Sequence, residues 1–341
     1  MLAAGLLTSL VAGLAAFAVT FLVLRNATRL GVIADPNERS SHTVPTPSGG
    51  GVGIVAGGTL GGLFAAWFFP WPTLVVAVAA LAMAAVGFID DRRHIPAPLR
   101  LAAQVILAAA MVATLEFEPL AAAMGLSVPL VLAAILVLTA VYWINIFNFM
   151  DGIDGIAGAQ AAFMLAAAII LMLVSGAGAE VVLVWWLAAL AAAVLGFLLL
   201  NWPPARIFMG DAGSTYLGFM LAYAAYASIA AGWLSLWQWL ILGALFVADA
   251  TITLLRRLLR REPLFKAHRL HAYQHLSRRW GNHRPVTLLF VVVNVAWLLP
   301  LAWAAGALPG LGPYAALAAY VPVVASLFWA GAGAPERRWA R

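Results

Sequence analysis

Apolar runs of about 20 residues, the length a helix needs to cross a bilayer core, recur along this chain from end to end. Eleven can be placed, centred near Gly13, Leu60, Ala80, Leu107, Leu136, Leu165, Leu190, Leu221, Ala244, Val295 and Val321. Inside a bilayer every backbone N–H and C=O must find its partner within the protein. The expected fold is therefore an all-α polytopic membrane protein with about 11 transmembrane helices. The composition agrees, with 65% hydrophobic and 9% charged residues, where soluble domains carry roughly a quarter charged. No polar stretch is large enough to fold separately, so residues 1–341 read as one integral membrane domain. The opening run MLAAGLLTSLVAGLAAFAVTFLVL lacks a basic start and exceeds a signal-peptide core, so it reads as the first span. Gly57-Gly58 and Gly61-Gly62 predict close helix–helix approach in the second span. The absence of cysteine excludes disulfides, thiolate metal sites and a thiol nucleophile.

The charges are segregated. With the N-terminus outside, alternate loops hold all 19 Lys and Arg and all six His at or beside their ends. The intervening loops contain Glu116, Glu118 and Glu180 but no base. By the positive-inside rule this pattern predicts an N-out, C-in topology with the chemistry on cytoplasmic loops. The net charge of +6 is explained by basic loops facing anionic lipid, so no nucleic-acid partner is implied. Only Asp249 sits clearly within a span, whereas a proton-coupled transporter would place acids along its path.

The polar residues of the basic face form five groups. Asp90 and Asp91 close the third span in FIDDRR, where a helix C-terminus already carries partial negative charge. Either Arg92 and Arg93 neutralise a solvated end, or a cation, a metal or a positive loop gathers there. In NIFNFMDGIDGIAG, Asn145, Asn148, Asp151 and Asp154 recur every three residues and would stack if helical. Asp-Gly pairs also mark turns, but two pairs beside two amides suit a Mg²⁺ or nucleophile site. In NWPPARIFMGDAGSTYLGF, Asp211 reads as an ordinary N-cap, or its loop as a phosphate cradle at a helix start. Arg206 and Phe208 add a cation and a flat face.

The longest basic loop spaces His268, His271 and His275 at i, i+3 and i+7, one face if helical. With Arg and Lys around them, these imidazoles suit a phosphate better than zinc. A juxtamembrane segment resting on headgroups would look the same. Finally, the Pro-rich PTPSGGG leads into three glycines, either a helix start or a close approach to ligand with Arg39 and His42 beside it. Grouped carboxylates, a phosphate-type loop and a basic arm together suit Mg²⁺-assisted phosphoryl chemistry on a lipid-borne acceptor.

At PTPSGGG, FIDDRR, NIFNFMDGIDGIAG, NWPPARIFMGDAGSTYLG and the ADATITLLRR to HRLHAYQHLSRRWGNHRPV block, the chain resembles a known family. These are the polyprenyl-phosphate N-acetylhexosamine-1-phosphate transferases of glycosyltransferase family 4, relatives of phospho-MurNAc-pentapeptide translocase. The motifs cover roughly residues 35–286. The resemblance implies sugar-1-phosphate transfer from a UDP-N-acetylhexosamine to undecaprenyl phosphate, releasing UMP and needing Mg²⁺, with Mn²⁺ as a substitute. It implies a bacterial inner-membrane enzyme with a cytoplasmic active site, in contact with membrane lipid, with a homodimer as one assembly state. Asp211 would be the principal metal ligand, joined by Asp151. Asn201, Arg206 and Phe208 would hold the nucleotide, with Phe208 on uracil and Asp154 helping to recognise it. Asn148 and Asp151 would line the diphosphate. Asp90 and Asp91 would receive the lipid phosphate, while His268, His271 and His275 would contact diphosphate or sugar. Ser48 stands where relatives often carry a base. The spread HRLHAYQH, unlike the packed histidines of the peptidoglycan branch, resembles the O-antigen-initiating branch.

The expected reaction is attack of the lipid phosphate oxygen on the β-phosphorus of the UDP-sugar. A two-step route through an aspartyl-phosphate enzyme is the alternative. Outside this class, a lipid-linked-sugar transporter would need charge along a transmembrane path, and a dead scaffold should have lost motif acids.

Overall fold

The computed structural model describes residues 1–34, 44–263, 268–308 and 310–335. Arg39 and His42 lie outside the described residues. The helices in order are α1 (Leu2–Leu30), α2 (Val52–Phe68), α3 (Pro70–Arg93), α4 (Ala97–Val112), α5 (Phe117–Met124), α6 (Pro129–Phe149), α7 (Ile156–Val174) and α8 (Val182–Asn201). They continue as α9 (Asp211–Ala230), α10 (Leu236–Leu242), α11 (Ala244–Leu259), α12 (Ala272–Trp280), α13 (His283–Val293), α14 (Leu299–Ala307) and α15 (Gly312–Ala330). A π turn over Asn294–Leu298 joins α13 to α14. One two-residue antiparallel pairing, β1 (Ile33–Ala34) with β2 (Thr46–Pro47), qualifies the all-α expectation.

The chain is an all-α polytopic membrane protein. Every expected span centre falls in a helix or, for Val295, in the π turn. Seven helical segments are long and apolar enough to cross a membrane, and nine if each bent pair counts once. The pairs are α4 with α5, bent by 106°, and α10 with α11, bent by 72°. The shortfall from eleven has two sources. Helix α2 has only 17 residues, and α9 spends much of its length on Ser, Thr and Tyr.

Helices α8 and α9 form the centre. Helices α1, α2 and α7 pack on α8, while α3 and α6 pack on α9. Small residues permit this: a Cβ on Gly53 would lie 2.4 Å from the Ala16 carbonyl oxygen, and one on Gly57 2.5 Å from that of Ala12. The predicted close approach in α2 is thus made to α1 and, through Gly61 and Ala189, to α8. A second group, α10, α14 and α15, packs together, and α11 leans on α15 and α6. Phe147 on α6 and Phe246 on α11, with centroids 5.4 Å apart, join the two groups. This arrangement brings the last turns of α3, α6 and α8 beside the first turns of α7, α9 and α13.

Candidate active site

Consecutive residues on a helix point about 100° apart, and the two terminal carboxylates of α3 take different main partners, although both act on Asp211. Asp90 is buried, accepts the Ile95 N–H at 2.7 Å and pairs with Arg100 of α4. Asp91 reaches across to α9, where both its oxygens accept the Asp211 N–H, at 3.1 and 3.0 Å. The unfavourable acidic end of α3 is thereby balanced against the positive end of α9. Gly210, with φ of 76°, precedes α9, and a Cβ there would lie 2.8 Å from Asp91 Oδ2. Asp211 is therefore not the N-cap: it is the first helical residue, and the N–H it presents is taken by Asp91.

Asparagine and aspartate in NIFNFMDGIDG do not form one helical stripe. Helix α6 ends at Phe149 and α7 begins at Ile156, with Gly155 between them at φ 72°. Asn145 turns aside, donating to Gln104 Oε1 at 2.7 Å and to the Val141 carbonyl. Asn148 points into the site and donates to Asp211 Oδ1 at 2.8 Å and Ser214 Oγ at 2.9 Å. Asp151 stands in the turn. Burial, then the charges of Asp211, Asp91 and Asp154, push its carboxyl up to about 7.

Asp154 is committed on both oxygens. Oδ1 pairs with His283 Nδ1 at 3.0 Å, and Oδ2 accepts the Ala205 N–H at 3.0 Å. Its carbonyl accepts the Thr287 hydroxyl. Asn201 is likewise used by backbone: Oδ1 accepts the Gly155 N–H at 3.1 Å, and Nδ2 donates to the Ile207 carbonyl at 2.9 Å. These bonds fold the NWPPAR loop against the α6–α7 turn. Two of the glycines of PTPSGGG approach protein: Gly50 and Gly51 donate to the Phe208 and Met209 carbonyls, each at 2.9 Å. A Cβ on Gly51 would meet the Gly213 Cα at 2.5 Å.

One cavity of about 280 Å³ results. Among the expected residues, Asp91, Asn148, Asp151, Asp154, Asn201, Phe208 and Asp211 line it. Ser48, Gln274 and His283 also line it and were not among them. Asp90, Arg206, His268, His271 and His275 are not in its lining. Gln274 had a readable signal, since it stands three residues after His271 as the partner in a capping box at α12. His283 had a weaker one, at the first position of a helix capped by Asn282.

The histidine arm is built differently. Helix α12 starts only at Ala272, so His268, His271 and His275 share no helical face. His271 is buried at the N-cap, its Nδ1 3.4 Å from Asp249 Oδ1. Asp249, fully buried on α11, accepts the Ala272 N–H at 2.9 Å and the Tyr273 N–H at 3.2 Å. The one acid expected within a span therefore holds α12 in place. Burial, then His271 and Arg257, push His268 down to about 3, so it is neutral at pH 7. Tyr273 then reaches the α6–α7 turn, donating to the Phe149 carbonyl at 3.0 Å, over Gly152.

Among the described residues no three His, Cys, Asp or Glu side chains converge tightly enough to enclose a metal by themselves. Mg²⁺ does not require that, since it takes one or two carboxylates and completes its shell with water and substrate phosphate. Among the described residues Asp91, Asp151 and Asp211 form no ion pair, although Arg100 lies near enough to Asp211 to favour its charge; burial first, then the neighbouring acids, raise the Asp151 carboxyl. This donor set fits a hard divalent cation.

The sequence profile of glycosyl transferase family 4 matches residues 73–229. The decaprenyl-phosphate N-acetylglucosaminephosphotransferase of Mycobacterium tuberculosis is 30% identical, over 83% of this chain and 78% of its own length. A phospho-N-acetylmuramoyl-pentapeptide-transferase of Pelotomaculum thermopropionicum is 33% identical, over 82% and 88%. A Bacillus subtilis protein named "Probable undecaprenyl-phosphate N-acetylglucosaminyl 1-phosphate transferase" is 26% identical, over 81% and 78%.

Proposed function

This chain belongs to glycosyl transferase family 4, and on that premise we propose that it transfers an N-acetylhexosamine-1-phosphate from a UDP-sugar to undecaprenyl phosphate. The product is an undecaprenyl-diphosphate-linked sugar that initiates O-antigen or a related surface polysaccharide. The observation that carries the reading is the convergence of Asp91, Asp151 and Asp211 with Asn148 and Phe208 on one cavity at a cluster of helix ends. In this reading the eleven spans run N-out and C-in through a bacterial inner membrane. The cavity then opens to the cytoplasm, where a soluble nucleotide meets a lipid acceptor, and the chain works alone or as a homodimer.

Asp211 and Asp151 would hold Mg²⁺, which when bound neutralises charge on the donor diphosphate. Asn148 fixes the Asp211 carboxylate, so the ligand is set before substrate arrives. Phe208 offers its half-buried ring to the uracil. Asp154 and Asn201 shape the nucleotide wall through their bonds to the NWPPAR loop. The acceptor phosphate is already mostly a dianion at pH 7, its second pKa being about 6, so positioning matters more than a strong base. A lipid phosphate oxygen forms a bond to the β-phosphorus as the bond from that phosphorus to the UMP oxygen breaks. UMP departs with that electron pair. The 33% identity to a pentapeptide transferase favours phospho-MurNAc-pentapeptide as the second reading.

Purified protein with undecaprenyl phosphate, Mg²⁺ and a panel of UDP-N-acetylhexosamines, with UDP-MurNAc-pentapeptide included, tests this. UMP release with one N-acetylhexosamine donor, abolished by EDTA and by Asp211→Asn, is the expected result. Release only with the pentapeptide donor selects the second reading. No release from any donor by folded protein overturns both.

A further inference from the structure

A second cavity, of about 490 Å³, shares no lining residue with the first. Arg256 at the end of α11 and Arg279 on α12 line it, with Phe328 and Trp329 at the end of α15. Each guanidinium is laid on a ring: Arg256 stands 4.6 Å from the Phe328 centroid and Arg279 5.1 Å from that of Trp329. Arg256 also donates to the Ala332 carbonyl at 2.6 Å, so it is held in place. Among the described residues neither arginine has a carboxylate partner, and no acid lines the cavity. Two cations without a counter-ion among the described residues, beside apolar surface, make a site for an anion.

A third cavity, of about 420 Å³, adjoins it through Leu276, Trp329 and Ala330, which line both. Its walls are almost wholly apolar, with Trp280, Leu289, Trp297, Pro322 and Leu327 among them. Trp280 and Trp329, at the ends of α12 and α15, are exposed, and tryptophan is enriched at membrane interfaces. A cationic pocket continuous with an apolar groove matches an amphiphile that has an anionic head and a hydrocarbon tail.

We propose that the two cavities together bind one anionic phospholipid of the surrounding membrane. Its phosphate lies between Arg256 and Arg279, and an acyl chain lies along the groove between α12, α13 and α15. The site is separate from the transferase cavity, so it stands whether or not the donor and acceptor assigned above are right.

The test is native mass spectrometry of the full chain in mild detergent, after exposure to phosphatidylglycerol, phosphatidylcholine or glycerol phosphate. One phosphatidylglycerol is expected to be retained, about tenfold over phosphatidylcholine. Arg256→Gln with Arg279→Gln should remove that preference, while Arg256→Lys with Arg279→Lys should keep most of it. Equal retention of the two lipids by the native chain would overturn the proposal without any variant. So would unchanged preference in the glutamine variant, thermal protection by glycerol phosphate equal to that by the lipid, or displacement of phosphatidylglycerol by equimolar undecaprenyl phosphate.

Discussion

The cavity beneath α3, α6 and α9 gathers several acids, the arm between α11 and α13 is anchored on one, and the two regions use them in opposite ways. In the arm, Asp249 is consumed: its oxygens hold the first N–H groups of α12 and lie against His271. In the cavity, Asp151 and Asp211 are brought together, and burial first, then the neighbouring acids, raise the Asp151 carboxyl. The two regions also titrate in opposite senses. Burial keeps a histidine neutral in the arm and favours a protonated carboxyl in the cavity. An acid spent on backbone supports the fold, whereas acids held in mutual repulsion are relieved by a ligand.

The sharpest way to break this contrast is to exchange one acid from each region. Asp211→Asn should lower transferase turnover roughly 10²–10³-fold, the usual effect of removing one group that meets developing charge. Its melting temperature in Mg²⁺-free buffer should not fall, because a source of repulsion is gone. Asp249→Leu should do the reverse. It leaves the Ala272 and Tyr273 N–H groups buried without acceptors, a loss of about 3 kcal/mol. Thermal unfolding in detergent should report that loss directly, while turnover by the remaining folded protein falls less than in Asp211→Asn. If Asp211→Asn destabilised the chain and Asp249→Leu did not, the assignment of roles would be inverted.

A titration sharpens the comparison further. The Asp151 carboxyl is raised in the folded chain to about 7 from the usual carboxylate value of 3.8. Between these values the folded state holds a proton that the unfolded state releases. Metal-free stability must therefore fall as pH rises through that window. The expected loss from pH 5 to pH 7 is about 2 kcal/mol, read as a falling melting temperature in EDTA. Saturating Mg²⁺ should flatten the slope, as should Asp151→Asn. A slope that persists in Asp151→Asn would place its origin elsewhere.

Much of the fold was legible because a bilayer admits few solutions: apolar length marks the helices, and the basic loops mark their ends. The bends were not: Leu236 to Leu259 reads as one apolar run although a turn breaks it, and the segment of Glu116 and Glu118, which reads as a loop, instead opens the short helix α5 that folds back from α4. The local polar groups of the site were also legible, since Asp91, Asn148, Asp151, Asp154 and Asp211 fall in short motifs. Which members of a motif face the cavity was not, because it depends on helices distant in sequence. Arg100 of α4 pairs with Asp90, which stays beside Asp211 but out of the cavity lining, and the α11 acid sets where α12 begins.

Asn145 and Asn148 give that point its mildest and most local test. They are three residues apart on α6 and look equivalent in sequence, but Gln104 of α4 takes one and Asp211 of α9 takes the other. Asn148→Ala frees the Asp211 carboxylate and should cost turnover about tenfold, within the range for a group that orients a metal ligand. Asn145→Ala leaves Gln104 without its partner, so it should cost about 1 kcal/mol of stability and change turnover less than threefold, near the resolution of such an assay. Equal losses of turnover in both variants would mean that the every-third-residue stripe acts as a unit after all. The break between α6 and α7 would then matter less to the chemistry than the separate hydrogen bonds of the two asparagines imply.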